Sequence, residues 1–321
     1  MSKKKLIVIG VLIIFGIAAF LFIQYKKTHI STDDAYITND IYWVNPKVSG
    51  TVEQVFIEDN EYVKKGKVLA IIDQKPYKIA LQKAKANVSL YKAKIEEAKA
   101  AIEATKAEVN LVIAQLKKAK WDFDRAKNLF KNSAMSKDVY EKYLTNYNVL
   151  KATLEAKENA LKKAKASLNS LKESLKAAEA AKSQAELNLS YTYIKAPADG
   201  FITKKNIEVG KFASPQMPIC AIVPKEGAWI VANYKESQIG KIKPGMKVKI
   251  EIDAYPSKEF EGRVASIQYG TGEVFSLFPP ENASGNWIKV TQRIPVKIVF
   301  NKKPDVPLRV GMSSETTVLA K

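Results

Sequence analysis

The chain has 321 residues, 46% of them hydrophobic, and carries 52 Lys and Arg against 33 Asp and Glu, a formal charge of +19. That length supports two or three compact domains. One cysteine and one histidine exclude an internal disulfide and a His-based metal cluster, and a Ser-His-Asp arrangement would have to use His29, which has no nucleophile motif nearby.

The charge points to solvated helix surface and away from nucleic acid, because the lysines lie among alanines and leucines with no aromatic-interleaved basic stripe. Attraction to acidic lipid or an acidic partner is a secondary reading. Cys220 reads as a small core thiol and His29 as an imidazole beside a membrane segment. No catalytic residue, metal or cofactor is expected.

The first element is an uncharged apolar run, Leu6–Ile23, preceded by Lys3, Lys4 and Lys5. Its eighteen residues are near the minimum that spans a bilayer. A cleaved signal peptide would end in a small-residue site, whereas Ala18-Ala19 is followed by Phe20-Leu21-Phe22-Ile23. Residues 1–30 therefore read as a short cytoplasmic N-terminus and a retained transmembrane anchor, with the N-terminus inside. Residues 31–47 read as a linker and a β-strand, and "IYWVNPKV" could supply a strand to the C-terminal domain.

Next comes the first half of an internal repeat. "VSGTVEQVFIEDNEYVKKGKVLAIID", from Val48, aligns without a gap with "ADGFITKKNIEVGKFASPQMPICAIV", from Ala198, at an offset of 150. Gly50 falls on Gly200, Ile57 on Ile207, Tyr62 on Phe212 and Ile72 on Ile222. Each half, 48–75 and 191–224, reads as short strands between turn residues and is too small to stand alone. Two such halves can bury their apolar faces against each other about a pseudo-two-fold axis. They resemble the halves of a biotinyl/lipoyl domain. A carrier of that kind holds a modified lysine in a tight turn between the halves, and no such turn is present here, so a carrier subunit is disfavoured.

Residues 76–190 fill the gap. Leu81, Val88, Ile95, Ile102, Val109, Leu116, Phe123 and Phe130 recur every seven positions. Ala84, Tyr91, Ala98, Thr105, Val112, Ala119 and Ala126 accompany them. A second run reads Tyr140, Tyr147, Leu154, Leu161, Leu168, Leu175 and Leu189, with Tyr143, Leu150, Ala164, Leu171, Ala178 and Ala185, and Lys157 and Lys182 interrupt it. Two sustained heptad runs predict an antiparallel coiled-coil hairpin with arms of about 80 Å. The tip falls near residues 130–137, where Ser136 is placed to cap the second helix. Residues 225–321 then alternate strand-like runs with Pro and Gly turns, a small β-barrel. The fold class is mixed α and β and elongated: a transmembrane helix, a lipoyl-like domain split by a long helical hairpin, and a C-terminal β-barrel.

This nesting is similar to the membrane fusion proteins, the periplasmic adaptors (HlyD-like) of efflux pumps and type I secretion systems. "TDDAYI" (32–37), "IKAPADGFI" (194–202), "WIVANYKESQI" (229–239) and "GTGEVFSLFPPENASGNWIKVTQRIPVKI" (270–298) resemble the EmrA-type branch, which works with major-facilitator drug exporters. The resemblance implies a non-enzymatic adaptor in the inner membrane, its bulk in the periplasm. Its implied partners are a major-facilitator exporter, a TolC-like outer-membrane channel and further copies of itself in a ring, often a hexamer. An adaptor for an ABC secretion system is the alternative within the family.

The resemblance also gives a role to the tip. Of the 52 basic residues only Arg125, Arg263, Arg293 and Arg309 are arginine. Adaptors that dock on a TolC-like channel often carry R-x3-L-x6-S at the hairpin tip, and Arg125, Leu129 and Ser136 match that spacing. Arginine offers a rigid donor fork that lysine lacks. Surface charge, tip packing and a plain helix cap are the competing readings of the three. Phe275 and Phe278 could face the exporter or a neighbouring protomer, or pack on their own barrel.

Overall fold

The structure is a computed structural model describing Gly16, residues 28–272, Val274 and residues 291–320. The expected anchor, apart from Gly16, and Phe275 and Phe278 lie outside the described residues. Among the described residues no helix is long and apolar enough to cross a membrane.

The elements run β1 (His29–Thr38), β2 (Tyr42–Val44), β3 (Gly50–Val55), β4 (Tyr62–Val63) and β5 (Val68–Ile72). Two long helices follow, α1 (Lys75–Lys131) and α2 (Lys137–Tyr191). Then come β6 (Tyr193–Lys195), β7 (Gly200–Thr203), β8 (Phe212–Ala213), β9 (Cys220–Val223) and β10 (Trp229–Lys235). After a short turn, α3 (Glu236–Ile239), the chain ends in β11 (Lys247–Ile252), β12 (Glu259–Ile267), β13 (Arg293–Phe300) and β14 (Ser313–Leu319). Two compact units result, one of residues 1–46, 54–70 and 195–321, the other of 47–53 and 71–194. Strands β3, β5 and β6 carry the chain from one unit to the other.

In the first unit, six strands close an antiparallel barrel in the order β1-β10-β13-β12-β11-β14. Alternation sets its inner face: Val248, Ile250 and Ile252 of β11 point inward between exposed neighbours, and Val318 of β14 points inward between half-buried ones. Tyr234 is fully buried in this core, and its hydroxyl lies 2.8 Å from Thr316 Oγ1. The expected tract "TDDAYI" contributes structurally. Arg293 Nη1 lies 3.0 Å from Asp34 Oδ2 and donates to the Asn233 carbonyl at 3.1 Å, while Asn233 Nδ2 donates to Asp34 Oδ1 at 3.0 Å. This clasp ties β1, β10 and β13. The barrel takes its N-terminal strand from 29–38, and "IYWV" goes elsewhere: β2 pairs with β9 in a four-stranded sheet ordered β2-β9-β7-β4.

The repeat at offset 150 holds down to single hydrogen bonds. Phe56 N donates to Leu69 O at 2.8 Å, and Asn206 N to Ile219 O at 2.7 Å. Glu61 N to Glu58 O and Lys67 N to Lys64 O are matched by Lys211 N to Glu208 O and Met217 N to Ser214 O. Asn60 and Gly210 both take a left-handed φ, +65° and +85°. Gly50 and Gly200 are glycine for a shared reason. A Cβ on Gly50 would come 2.6 Å from Ile72 Cγ2, and one on Gly200 would come 2.8 Å from Ile222 Cγ2. Strand and turn geometry are thus duplicated where the sequence is duplicated.

The second unit is dominated by α1 and α2, of 57 and 55 residues. Pro76 sits in the first turn of α1, where its missing N–H costs nothing. The buried residues of α1 are Val88, Ile95, Val109, Val112, Ala119 and Ala126, all from the two heptad series. Pairing keeps one antiparallel register from base to tip. Gln74 Nε2 donates to Thr192 Oγ1 at 3.1 Å, Lys157 Nζ to Glu108 Oε2 at 2.7 Å, and Phe123 stacks on Tyr147 at 5.6 Å. Lys157, which interrupts the apolar series, is therefore partnered across the arms. Lys182 is paired along its own helix with Glu186, at 3.6 Å. Two expected seam residues are exposed, Tyr143 here and Phe130 at the tip. Tyr143 is 38% exposed, and Leu144 is half-buried in its place. The rings of Phe123, Phe130 and Tyr140 crowd this end, which leaves the longer Tyr143 side chain to solvent.

Candidate functional site: the hairpin tip

Helix α1 must end for the chain to return, and its last turn closes in a Schellman motif. Ser133 N donates to Phe130 O at 3.0 Å and Ala134 N to Leu129 O at 2.9 Å, with Ser133 at a left-handed φ of +54°. A glycine would adopt that conformation at less cost. Lys131 lies in the last turn, where a cation meets the negative end of the helix dipole. Residues 132–136 form the turn, and α2 begins after Ser136.

Ser136 stands at the N-cap in extended conformation, with φ −67° and ψ 152°. Its side chain makes no capping hydrogen bond, and its carbonyl accepts the first helical bond, from Tyr140 N at 3.2 Å. The hydroxyl-cap expectation is thus not realised. Asp138 in the first turn supplies the favourable charge instead.

Arg125 and Leu129 are four residues apart on α1 and so share one face of the helix. Arg125 is exposed and makes no ion pair among the described residues, although Asp122 and Asp124 are close in sequence. Leu129 is 40% exposed. The helix thus holds the arginine and the leucine together, while Ser136 lies beyond the turn and is exposed.

The tip shows two further apolar side chains. Phe130 was expected in the seam, but it is 39% exposed while one ring face stacks on Tyr140 at 4.9 Å and 13°. Val139 is 42% exposed. Both follow from position: the seam has no next turn to cover its last aromatic, and Val139 lies between Asp138 and Tyr140 on the outward side of α2. The displayed surface includes a guanidinium, a serine and three apolar side chains, among the exposed Lys131, Asn132, Lys137 and Asp138. It suits docking into a small apolar groove with carbonyl or carboxylate acceptors at its edge. Among the described residues no group of three or more His, Cys, Asp or Glu is placed to hold a metal ion.

A long helical hairpin between two halves of a sandwich, with a separate β-barrel, is the architecture of membrane fusion proteins. The family model "RND MFP, barrel-sandwich hybrid domain" matches residues 41–223, and "CusB-like, beta-barrel domain" matches 227–270. The "Colistin resistance protein EmrA" of Acinetobacter baumannii is 36% identical over 99% of this chain and 95% of its own. The "Probable multidrug resistance protein EmrK" of Escherichia coli is 35% identical over 90% of this chain and 76% of its own. Among solved structures, the membrane fusion protein Spr0693 of Streptococcus pneumoniae shares the fold at a TM-score of 0.59, with 14% identity, over 91% of this chain and 99% of that one. The chain belongs to the membrane fusion protein family, in its EmrA-type branch.

Proposed function

We propose that this chain is the periplasmic adaptor of a tripartite drug efflux pump. Residues 6–23 anchor it in the inner membrane beside a major-facilitator exporter. The hairpin reaches a TolC-like outer-membrane channel, and several copies form a ring. It catalyses no reaction.

The observation that carries this reading is the tip. Two arms of about 80 Å, packed against each other, end in an exposed Arg125 with no ion pair among the described residues and a Leu129 that is 40% exposed. Similarity over 99% of the chain to a protein named for colistin resistance supports drug export as the purpose. Phe275 and Phe278 are assigned to contact with the exporter or a neighbouring protomer.

The test is recovery of partners. The full chain, cross-linked in its native cells and purified, should bring down a major-facilitator transporter and an outer-membrane channel, and deletion should sensitise the cells to drugs. Recovery of an ABC transporter in place of the major facilitator, with unchanged drug sensitivity, would move the protein to the secretion branch of the family.

A further inference from the structure

A second unassigned surface lies in the first unit, well apart in sequence from the tip. It is an open groove of about 650 Å³, a volume in the range of small-molecule sites. Phe201, Val223, Pro224 and Leu308 are among its walls, together with Lys225 and Arg309, and among the described residues no carboxylate lines it.

The apolar side is built on the sheet. Phe201 of β7 sits opposite Val223 of β9 and opposite Tyr62 of β4, and its ring meets the Tyr62 ring edge-on at 5.3 Å. The rings stay exposed, Tyr62 at 44% and Phe201 at 40%. The facing wall is the segment before β14, and it is pinned at both ends. Tyr255 Oη donates to Pro307 O at 2.8 Å, and Gly311 N donates to Ile37 O at 2.8 Å. Gly311 takes a φ of +88°, which lets the turn from Arg309 to Met312 close with a 3.2 Å bond from Met312 N to Arg309 O. Arg309 therefore stands on a fixed turn.

The charge is unbalanced. Four carboxylates near its lining in sequence are each engaged: Glu226 with Lys303, Asp305 with Lys258 at 2.7 Å, Glu61 with Lys67, and Asp59 as acceptor from the Lys205 backbone N–H at 3.0 Å. Lys225 is adjacent to Glu226 but forms no ion pair among the described residues, and neither does Arg309. Two cations beside an apolar wall, with the local acids already taken, complement one class of ligand.

We propose that this groove binds a small anionic amphiphile, with Arg309 and Lys225 receiving its acid group and Phe201, Val223 and Leu308 its apolar body. Arginine's planar fork suits a carboxylate or sulfonate. The proposal does not depend on what the hairpin tip contacts.

The test uses the full chain in phosphatidylcholine nanodiscs, titrated calorimetrically with 2-naphthoate, with empty nanodiscs as the blank. One saturable site per chain is expected. The neutral 2-naphthamide should bind at least tenfold more weakly, and the Arg309→Gln/Lys225→Gln variant should lose at least tenfold in affinity for 2-naphthoate alone. Both side chains are exposed, so the variant should melt like wild type. Absence of saturable binding to wild type, equal affinity for acid and amide, or an unchanged affinity in the variant would each overturn the proposal.

Discussion

Replacing Ile95 by aspartate strikes the hairpin at its seam. Ile95 is 7% exposed in the middle of the α1 apolar series. Loss of a buried isoleucine costs about 2–5 kcal/mol through transfer and residual cavity. A carboxylate in that place adds the cost of an unpartnered charge, which protonation would only partly relieve. A total of about 4–6 kcal/mol follows, and at 2–4 °C per kcal/mol the melting midpoint of the arm should fall by roughly 10–20 °C. Far-UV circular dichroism at 222 nm reads the effect, because α1 and α2, of 57 and 55 residues, dominate the described helix. The barrel should be untouched, so near-UV signals from Trp229 and Tyr234 should persist through the early loss of helix. An Ile95→Asp arm that melts with the wild-type midpoint would refute the seam and its register.

Lys157→Leu should act in the opposite direction. It removes a half-exposed bridge to Glu108 that contributes at most about 1 kcal/mol and extends the apolar seam, so the arm should melt a few degrees higher. Tyr234→Phe should destabilise the barrel by about 1–2 kcal/mol, read as a lower urea midpoint, because the Thr316 hydroxyl loses its buried partner. Alkaline pH should weaken the fold through Cys220. Burial foremost, with the Asp59 charge adding, raises its thiol from 9.0 to about 11, so the unfolded chain releases its proton first. Stability should hold up to pH 9 and then decline, and in urea titrations at stepped pH Cys220→Ala should remove the part between 9 and 10. Above that, buried Tyr234, raised from 10.0 to about 12, adds a loss of the same sign.

Much of this was legible because it is local or periodic. Val88, Ile95 and Val109 announce their burial by recurring every seven residues, and that period has one physical meaning in a helix pair. The repeat was legible to individual turns, since Asn60 and Gly210, at equivalent positions, meet the same backbone demand. Legibility ended where tertiary contacts choose among equivalent local options. "IYWV" has the composition of a strand, but nothing in it says that β9 is its partner. Tyr143 and Leu144 are both acceptable seam residues until neighbouring rings fill the space. The extended backbone of Ser136 could be read from its type, the idle hydroxyl could not. The groove was invisible, because Phe201, Lys225 and Arg309 meet only when the closed barrel brings its last turn to the sheet.

The most direct test of the central claim is photo-crosslinking from residue 133, at the end of the hairpin, in living cells with normal adaptor levels. Adaptor carrying a photoreactive residue there should crosslink to an outer-membrane channel. Arg125→Lys should remove most of that product and lower drug resistance, because lysine keeps the charge and loses the fork, while the melting curve of the arm stays unchanged. Undiminished crosslinking and full resistance in Arg125→Lys would contradict docking through Arg125, and a wild-type tip that captures no channel would contradict the adaptor reading itself.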